Sequence, residues 1–325
     1  MDPASHRLTR RAFVRGALLT GVAAVATTRW HTEGAVAGAR VVPGDGIPRL
    51  DLGEPIVGVA AGGDRVVAIG GRSGIPRTWT CRPGDAAWRE VTTEPGLPPG
   101  AGVTDVTARG AGFVAAGWLE GHDGPRPAVF VADGSLGWRS VELPETAPGI
   151  CTATASLDDR SLVVGSRFTE GSVREPAAPF AFVGDEAGWA EVTLDGVSAP
   201  RHGEVSALGD IGGRLLLATT DVAGTALFTA ADARGPWRPV RAPRPDQPFV
   251  IMAVAAVDEG VLLAGLDTMD RPRCWVGDLS TWRAAEPPVA LDASSHVVGM
   301  SDADGSFVAA ASSLERAFIE EVSAA

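Results

Sequence analysis

The sequence contains no tyrosine, no lysine and no asparagine, and these absences limit the chemistry open to the chain. Without lysine, all 28 basic residues are arginine, and they stand against 40 acidic residues at a net charge of −12. A protein that binds nucleic acid needs a basic face for the phosphate backbone, so we expect no nucleic acid partner. Without tyrosine, no phenol can act as a nucleophile in an active site.

Cysteine is also scarce: only Cys81, Cys151 and Cys274 occur, each inside an apolar stretch. An odd, sparse set is not a disulfide framework, so we predict that these thiols are small buried side chains. Hydrophobic residues, at 45%, are numerous enough for a large core. This composition excludes a disordered polymer, and 325 residues are within reach of one all-β domain.

The beginning of the chain has the pattern of an export signal. Arg10 and Arg11 are followed by Phe13 and then by an uncharged apolar run over residues 16–26, which is too short to span a bilayer. This pattern resembles the twin-arginine signal peptide, and the resemblance implies that the chain is exported already folded. An uncleaved N-terminal anchor and a chance basic amphipathic segment are the alternatives.

Cleavage after Ala39, or at an earlier alternative near Ala26, would remove this signal. We therefore divide the chain into a signal peptide of residues 1–39 and a mature domain of residues 40–325. Export by the twin-arginine route implies a secreted or cell-envelope protein, and the mature part contains no predicted transmembrane segment.

The mature chain repeats at intervals of 46 to 53 residues. Each repeat contains a short apolar run preceded by a Gly-rich or Asp-rich turn and followed by a third strand with an aromatic residue. In five repeats a tryptophan then opens a fourth strand, namely Trp88, Trp138, Trp189, Trp237 and Trp282. This pattern predicts an all-β fold, a single six-bladed β-propeller of four-stranded antiparallel blades. The predicted blades are approximately residues 56–94, 102–143, 150–195, 203–241, 249–286 and 295–322.

The last repeat ends at Val322 after three strands and lacks its tryptophan strand. Such an end leaves an uncovered strand edge. Residues 48–55 directly precede the first blade and parallel the fourth-strand segment 88–95. We therefore predict that an N-terminal strand at residues 47–54 completes blade 6 and closes the ring.

An aspartate stands between the third and fourth strands of five repeats, three to five residues before the tryptophan: Asp85, Asp133, Asp185, Asp232 and Asp278. These segments resemble the Asp boxes of the bacterial neuraminidase repeat family, and residues 133–138 come closest. The resemblance implies a structural turn on the face away from the active site, in which the aspartate ties the hairpin and the tryptophan packs between blades.

Sialidases of that fold use a tyrosine nucleophile, which this chain lacks, so ordinary sialidase activity is not expected. A glycan-active hydrolase or lyase of the same architecture remains an alternative, and it would require a pair of carboxylates.

Three arginines form the first candidate site. Arg77, Arg273 and Arg316 each stand two residues before the third-strand aromatic of blades 1, 5 and 6, which are neighbours in a closed ring. Converging guanidinium groups would bind an acidic sugar or another carboxylate-bearing ligand. The alternative is that each arginine stacks on its aromatic or pairs with a loop acid.

A second candidate site is a divalent metal site at His202, Glu204 and His296. His202 and Glu204 share one side of an extended segment, and His296 enters blade 6 on the same face. Without close Cys/His spacing, these residues and His122 are alternatively exposed loop side chains. No organic cofactor is predicted, and we expect Asp105, in an innermost strand, to make a structural hydrogen bond.

The sequence therefore predicts an exported propeller that binds a carbohydrate, a carboxylate-bearing ligand or a protein on its loop face. It does not establish catalysis, for which a glycan-active enzyme and a metal-dependent hydrolase using the His and Glu residues are the alternatives.

Overall fold

The structure is a computed structural model. It describes residues 42–43, 47–71, 75–91, 96–122, 124–144, 147–168, 176–185, 187–197, 204–221, 224–244, 248–257, 260–289, 291, 295–303, 306–313 and 317–323. The regular elements in these ranges are β-strands. Within them, no helix is long and apolar enough to cross a membrane. The predicted signal peptide lies outside the described residues.

Two short strands, β1 (Val42–Pro43) and β2 (Leu50–Leu52), come first. Blade 1 consists of β3 (Ile56–Gly62), β4 (Arg65–Gly70), β5 (Arg77–Cys81) and β6 (Arg89–Glu90). Blade 2 consists of β7 (Ala101–Arg109), β8 (Gly112–Leu119), β9 (Arg126–Ala132) and β10 (Trp138–Ser140). Blade 3 consists of β11 (Gly149–Leu157), β12 (Arg160–Phe168), β13 (Pro176–Asp185) and β14 (Gly188–Val192).

Blade 4 consists of β15 (Glu204–Asp210), β16 (Leu215–Asp221), β17 (Gly224–Ala230) and β18 (Arg238–Val240). Blade 5 consists of β19 (Phe249–Val257), β20 (Gly260–Asp267), β21 (Pro272–Gly277) and β22 (Trp282–Ala285). Blade 6 contains β23 (His296–Ala303), β24 (Ser306–Ser312) and β25 (Ala317–Ser323).

Within each blade, the strands pair antiparallel in chain order. The first strand of every blade contacts the first strands of both neighbouring blades, and β23 contacts β3 in the same way. The first strands therefore form a closed ring around a central channel, with the fourth strands outermost. The predicted six-bladed propeller is confirmed.

The N-terminal strand closes the ring as predicted. Strand β2 pairs with β25, and Leu50 lies opposite Ile319. The structure adds a strand that the sequence analysis did not identify, since β1 pairs with the far end of β25 through Val42 and Ser323. Two consecutive N-terminal strands thus form the outer edge of blade 6.

The core is divided among the six seams, the interfaces between adjacent blades. Each seam holds one cluster of buried apolar side chains. Among the described residues, the cluster between blades 2 and 3 is the smallest of the six. The three cysteines are free and buried, as predicted, and they lie in three different seams.

The innermost strand of every blade contains a β-bulge, which the sequence analysis did not predict. One residue drops out of the register with the second strand: Val57, Thr104, Thr152, Ser206, Met252 and Val298. The bulge changes which neighbours a side chain reaches. The Thr104 hydroxyl, for example, lies 3.0 Å from the Ala116 carbonyl oxygen of its own blade and 2.8 Å from that of Cys151 in blade 3. At the bulges of Thr104 and Thr152, the hydroxyl group thereby connects adjacent blades.

The aspartates between third and fourth strands tie their hairpins, as the Asp-box resemblance implied. Asp278 Oδ1 accepts hydrogen bonds from the backbone N–H groups of Thr281 at 2.8 Å and Ser280 at 3.0 Å. These bonds hold the pKa of Asp278 well below its usual range. Asp133 accepts in the same way from Ser135 N at 2.7 Å. These side chains serve the fold.

Candidate functional site

The upper face of the propeller is the end at which the first strands begin. Because the strands of a blade are antiparallel, the loops between second and third strands all lie on this face, together with the segments that join the blades. Two large apolar side chains are exposed there, Ile75 at 66% in blade 1 and Met269 at 51% in blade 5. The upper face can therefore offer apolar as well as polar contacts.

A buried carboxylate organises the upper loop of blade 5. The Asp267 side chain is 3% exposed, at the end of β20. Its Oδ1 accepts hydrogen bonds from the backbone N–H groups of Met269 at 2.8 Å and Arg271 at 3.1 Å. Burial alone would raise the pKa of Asp267, but these bonds and the neighbouring guanidinium groups lower it below its usual value.

The same carboxylate holds two arginines. Asp267 Oδ2 accepts from Arg271 Nε at 3.0 Å and from Arg273 Nη2 at 3.0 Å and Nε at 3.2 Å. The Arg271 and Arg273 side chains are 34% and 45% exposed. A single buried carboxylate therefore holds two guanidinium groups at once. We call Arg271 and Arg273 the blade 5 arginine pair.

Arg77 occupies the equivalent position in blade 1, but its surroundings differ. Its Nη1 lies 3.2 Å from Glu54 Oε1, and its Nε lies 3.6 Å from Glu90 Oε1. Two carboxylates therefore neutralise a single guanidinium. Of the three predicted arginines, Arg316 lies outside the described residues, and the convergence of all three on one ligand stays a prediction.

Sequence reasoning found Arg273 but missed Asp267 and Arg271. The signal for them is local: an aspartate at the end of a second strand, followed by arginines four and six residues later. A tight loop brings all three side chains together.

The predicted metal ligands are only partly described. Glu204 begins β15 and is half-buried, with its backbone opposite Thr220. His202 lies outside the described residues, and so does the side chain of His296. Over the described part of the chain, no group of three or more His, Cys, Asp or Glu side chains is arranged to hold a metal ion. The metal site stays a prediction.

The central channel contains a cavity of about 250 Å³, whose lining includes Asp105 and Asp210. Asp105 stands directly after a bulge, where the other blades have only Gly or Ala. Its Oδ2 accepts from the Thr154 N–H of blade 3 at 2.9 Å, and its Oδ1 accepts from the Val106 N–H at 2.9 Å. As expected, Asp105 makes structural hydrogen bonds, one of which joins blades 2 and 3.

No protein-family model matches the chain, and the search of curated proteins found no match. Among solved structures, the chain is similar to YCF48 bound to a D1 peptide, with 14% identity and a TM-score of 0.48 over 82% of this chain and 77% of that one.

It is also similar to Trypanosoma rangeli sialidase in two complexes. The complex with sialic acid has 11% identity and a TM-score of 0.56 over 84% of this chain and 54% of that one. The complex with the inhibitor DANA has 9% identity and a TM-score of 0.53 over 83% and 55%. The chain thus spans little more than half of the sialidase chains, and at these identities the likeness shows the propeller fold alone.

Proposed function

We propose that this propeller is an exported binding protein that takes a carboxylate-bearing ligand at the blade 5 arginine pair. The observation that carries the proposal is that the single buried carboxylate of Asp267 holds two guanidinium groups at once. The Nη groups of Arg271 and Nη1 of Arg273 have no hydrogen-bond partner among the described residues. These donors suit a carboxylate, which accepts paired N–H groups in one plane.

Prior positioning favours binding at this pair. The Asp267 hydrogen bonds restrict both arginine side chains before a ligand arrives, so less conformational entropy is lost on binding. The net charge of −12 does not prevent binding, because a field from distant surface charges is screened within about 8–10 Å while the guanidinium contacts are direct.

Exposed Met269, whose backbone N–H also binds Asp267, indicates the type of ligand. A ligand with an apolar group beside its carboxylate could cover this side chain and gain from its burial. An acidic peptide segment has this character more than a bare acidic sugar does, so we propose an acidic protein segment as the ligand.

Fluorescence anisotropy with a labelled Glu-Leu-rich peptide tests this site. Replacing Arg271→Gln or Arg273→Gln should weaken binding by about tenfold or more, as expected for lost hydrogen bonds between charged groups. Arg77→Gln is the matched control and should have little effect, because Glu54 and Glu90 already neutralise Arg77. Arg316→Ala shows whether that residue contributes.

The peptide with Gln in place of Glu should bind weakly to every variant. Equal binding of both peptides, or unchanged affinity in both blade 5 variants, would contradict the proposal.

Export is proposed from the pattern at Arg10, Arg11 and Phe13. Replacing both arginines with glutamine should leave the folded protein in the cytoplasm of the cell that expresses it. Secretion of the double variant at the normal level would rule out the twin-arginine route.

A further inference from the structure

The outer part of the seam between blades 2 and 3 contains a pocket of about 440 Å³. One wall follows the fourth strand of blade 2 and the residues after it, including Arg139, Glu142 and Pro144. The other wall is the last hairpin of blade 3, with Asp185 and Trp189. Its size lies within the range of small-molecule sites, about 300–1,000 Å³.

In the seam between blades 4 and 5, a hydrogen bond occupies the place that this pocket has between blades 2 and 3. In blade 5, Trp282 pairs with Gly277, and its indole Nε1 donates to the Arg241 carbonyl oxygen of blade 4 at 2.6 Å. In blade 3, Trp189 pairs with Gly184 and is therefore the equivalent residue.

The residue equivalent to Arg241 follows from the strand register. In blades 4 and 2, Pro239 and Ser140 each lie opposite the phenylalanine of the third strand. Arg241 and Glu142 each follow two residues later, so Glu142 is the residue of blade 2 that is equivalent to Arg241.

Glu142 lines the pocket opposite Trp189, whose indole Nε1 has no hydrogen-bond partner among the described residues. Trp189 and the blade 2 residues Val141 and Leu143 pack against the same buried apolar cluster, and the pocket lies between the two walls outside that cluster.

The indole is rigidly supported. A Cβ atom added to Gly184 would lie 2.0 Å from Trp189 Cδ2, so the ring lies directly against the backbone of its own hairpin. Trp189 is half-buried, and Pro144 on the facing wall is exposed. The pocket therefore has an apolar surface on each wall.

Polar groups surround these surfaces. Arg139 and Glu142 are exposed, and the described residues provide no hydrogen-bond or ion-pair partner for either side chain. Asp185 Oδ1 accepts from Ala187 N at 2.8 Å, and its Oδ2 lies 3.9 Å from Arg160 Nε. Hydrogen-bond donors and acceptors are thus both available within one small pocket.

This combination selects among ligand classes. Two carboxylates on the walls disfavour an anion, and burying these charged groups under a purely apolar ligand would be costly. A neutral pyranose presents a C–H face to an aromatic ring and carries closely spaced hydroxyl groups that both donate and accept hydrogen bonds. We infer that the seam between blades 2 and 3 binds a neutral pyranose sugar of one or two rings, independently of the blade 5 arginine pair.

Saturation-transfer difference NMR with glucose, galactose, mannose, maltose, cellobiose and lactose tests this inference on the wild-type chain. At least one sugar should give a saturation signal. Glu142→Gln should weaken its binding about tenfold without changing the melting temperature, because the side chain is exposed and lacks a partner. Trp189→Ala should abolish binding.

Two control variants isolate the site. Glu286→Gln alters the glutamate of blade 5 that is equivalent to Glu142 by register and should leave the sugar signal unchanged. Arg273→Gln should also leave it unchanged, which separates this site from the anion site. The absence of a signal from every sugar overturns the inference, as does unchanged binding in both Glu142→Gln and Trp189→Ala.

Discussion

The seams between blades 4 and 5 and between blades 2 and 3 use equivalent elements but are closed differently at the outer rim. Trp282 donates a hydrogen bond across the seam to the Arg241 carbonyl oxygen, whereas Trp189 has no such bond among the described residues and lines a pocket. Further inward, Asp105 and the bulge residue Thr104 bind blade 3 through its backbone. A seam that is well connected at the channel can therefore remain open at the rim, where a ligand has access.

The seam between blades 6 and 1 gives a third arrangement. There Trp88 Nε1 donates to the Pro48 carbonyl oxygen at 2.7 Å, and Pro48 belongs to the N-terminal segment that closes the ring. This seam depends on residues from both ends of the chain.

The largest loss of stability is expected from removing the N-terminal segment that closes the ring. A chain starting at Ile56 loses β1 and β2 and the burial of Ile47 and Leu50, which are 6% and 9% exposed. At about 1.5–3 kcal/mol for each buried side chain, the loss is roughly 3–6 kcal/mol before the exposed strand edge is considered. Thermal and urea unfolding should show earlier melting or aggregation.

A chain starting at Ile47 is the matched control, because it loses β1 but keeps β2. Its melting temperature should be much closer to that of the chain starting at Arg40 than to that of the chain starting at Ile56. If the chain starting at Ile56 melts like the one starting at Arg40, the N-terminal strands do not support the ring.

Alkaline pH should weaken seams that contain a buried thiol. Burial raises the pKa of Cys151 and of Cys274 from 9.0 to about 12. The folded state therefore keeps protons that the unfolded chain releases, so this stability is fully present below pH 9 and is lost as the pH rises toward 12. At about pH 10 the loss is about 1.4 kcal/mol for each of the two thiols.

Because the chain has neither tyrosine nor lysine, few other side chains titrate in this range. Urea unfolding between pH 8 and 11 measures the effect. Cys151→Ala tests the seam between blades 2 and 3, and Cys274→Ala tests the seam between blades 5 and 6. Each substitution should reduce the dependence of the free energy of unfolding on pH. A slope that is identical in wild type and both variants would contradict this assignment.

A moderate loss of stability is expected from changing Asp105, at the inner end of the seam between blades 2 and 3. Asp105→Ala removes the acceptor of the Thr154 and Val106 N–H groups. Three other blades have alanine at this position, so the backbone accepts the change. We expect a loss of about 1–3 kcal/mol in the free energy of unfolding, with Asp105→Asn less affected because its amide oxygen still accepts one bond. Unchanged stability of the alanine variant would show that Asp105 does not connect the blades.

The smallest loss of stability is expected from substitutions of the two outer tryptophans, which can be compared directly. Trp282→Phe removes the hydrogen bond to the Arg241 carbonyl oxygen and should cost about 1 kcal/mol. Trp189→Phe removes an N–H group without a partner among the described residues, so its cost should be smaller. If urea unfolding shows equal losses in the free energy of unfolding for both variants, the proposed difference between these seams is wrong.

Most of the fold was predictable because its signals repeat along the chain. The turns, apolar runs and tryptophans recur once per blade, and the missing fourth strand at Val322 pointed to closure by the N-terminus. The bulges were not predictable, because a residue such as Val57 or Met252 inside an apolar run gives no sign that it leaves the strand register.

The candidate sites were predictable only in part. Equal sequence positions drew attention to Arg77 and Arg273, but their charge balance depends on acids contributed by other strands and loops, which spacing does not reveal. The pocket beside Trp189 depends on how far blade 3 lies from blade 2, and no local pattern encodes that distance.

Closure by the N-terminal strand also determines when the protein can finish folding. Leu50 and its partner Ile319 are separated by 269 residues, so most of the chain must be synthesised before this pair can form. Joining ends so far apart has an entropic cost that must be met before blade 6 is complete. Until the ribosome has released the last strand, a nascent chain with five finished blades exposes the apolar faces of blades 1 and 5 that later pack against blade 6. The final pairing is thus the step that converts a curved row of blades into a ring.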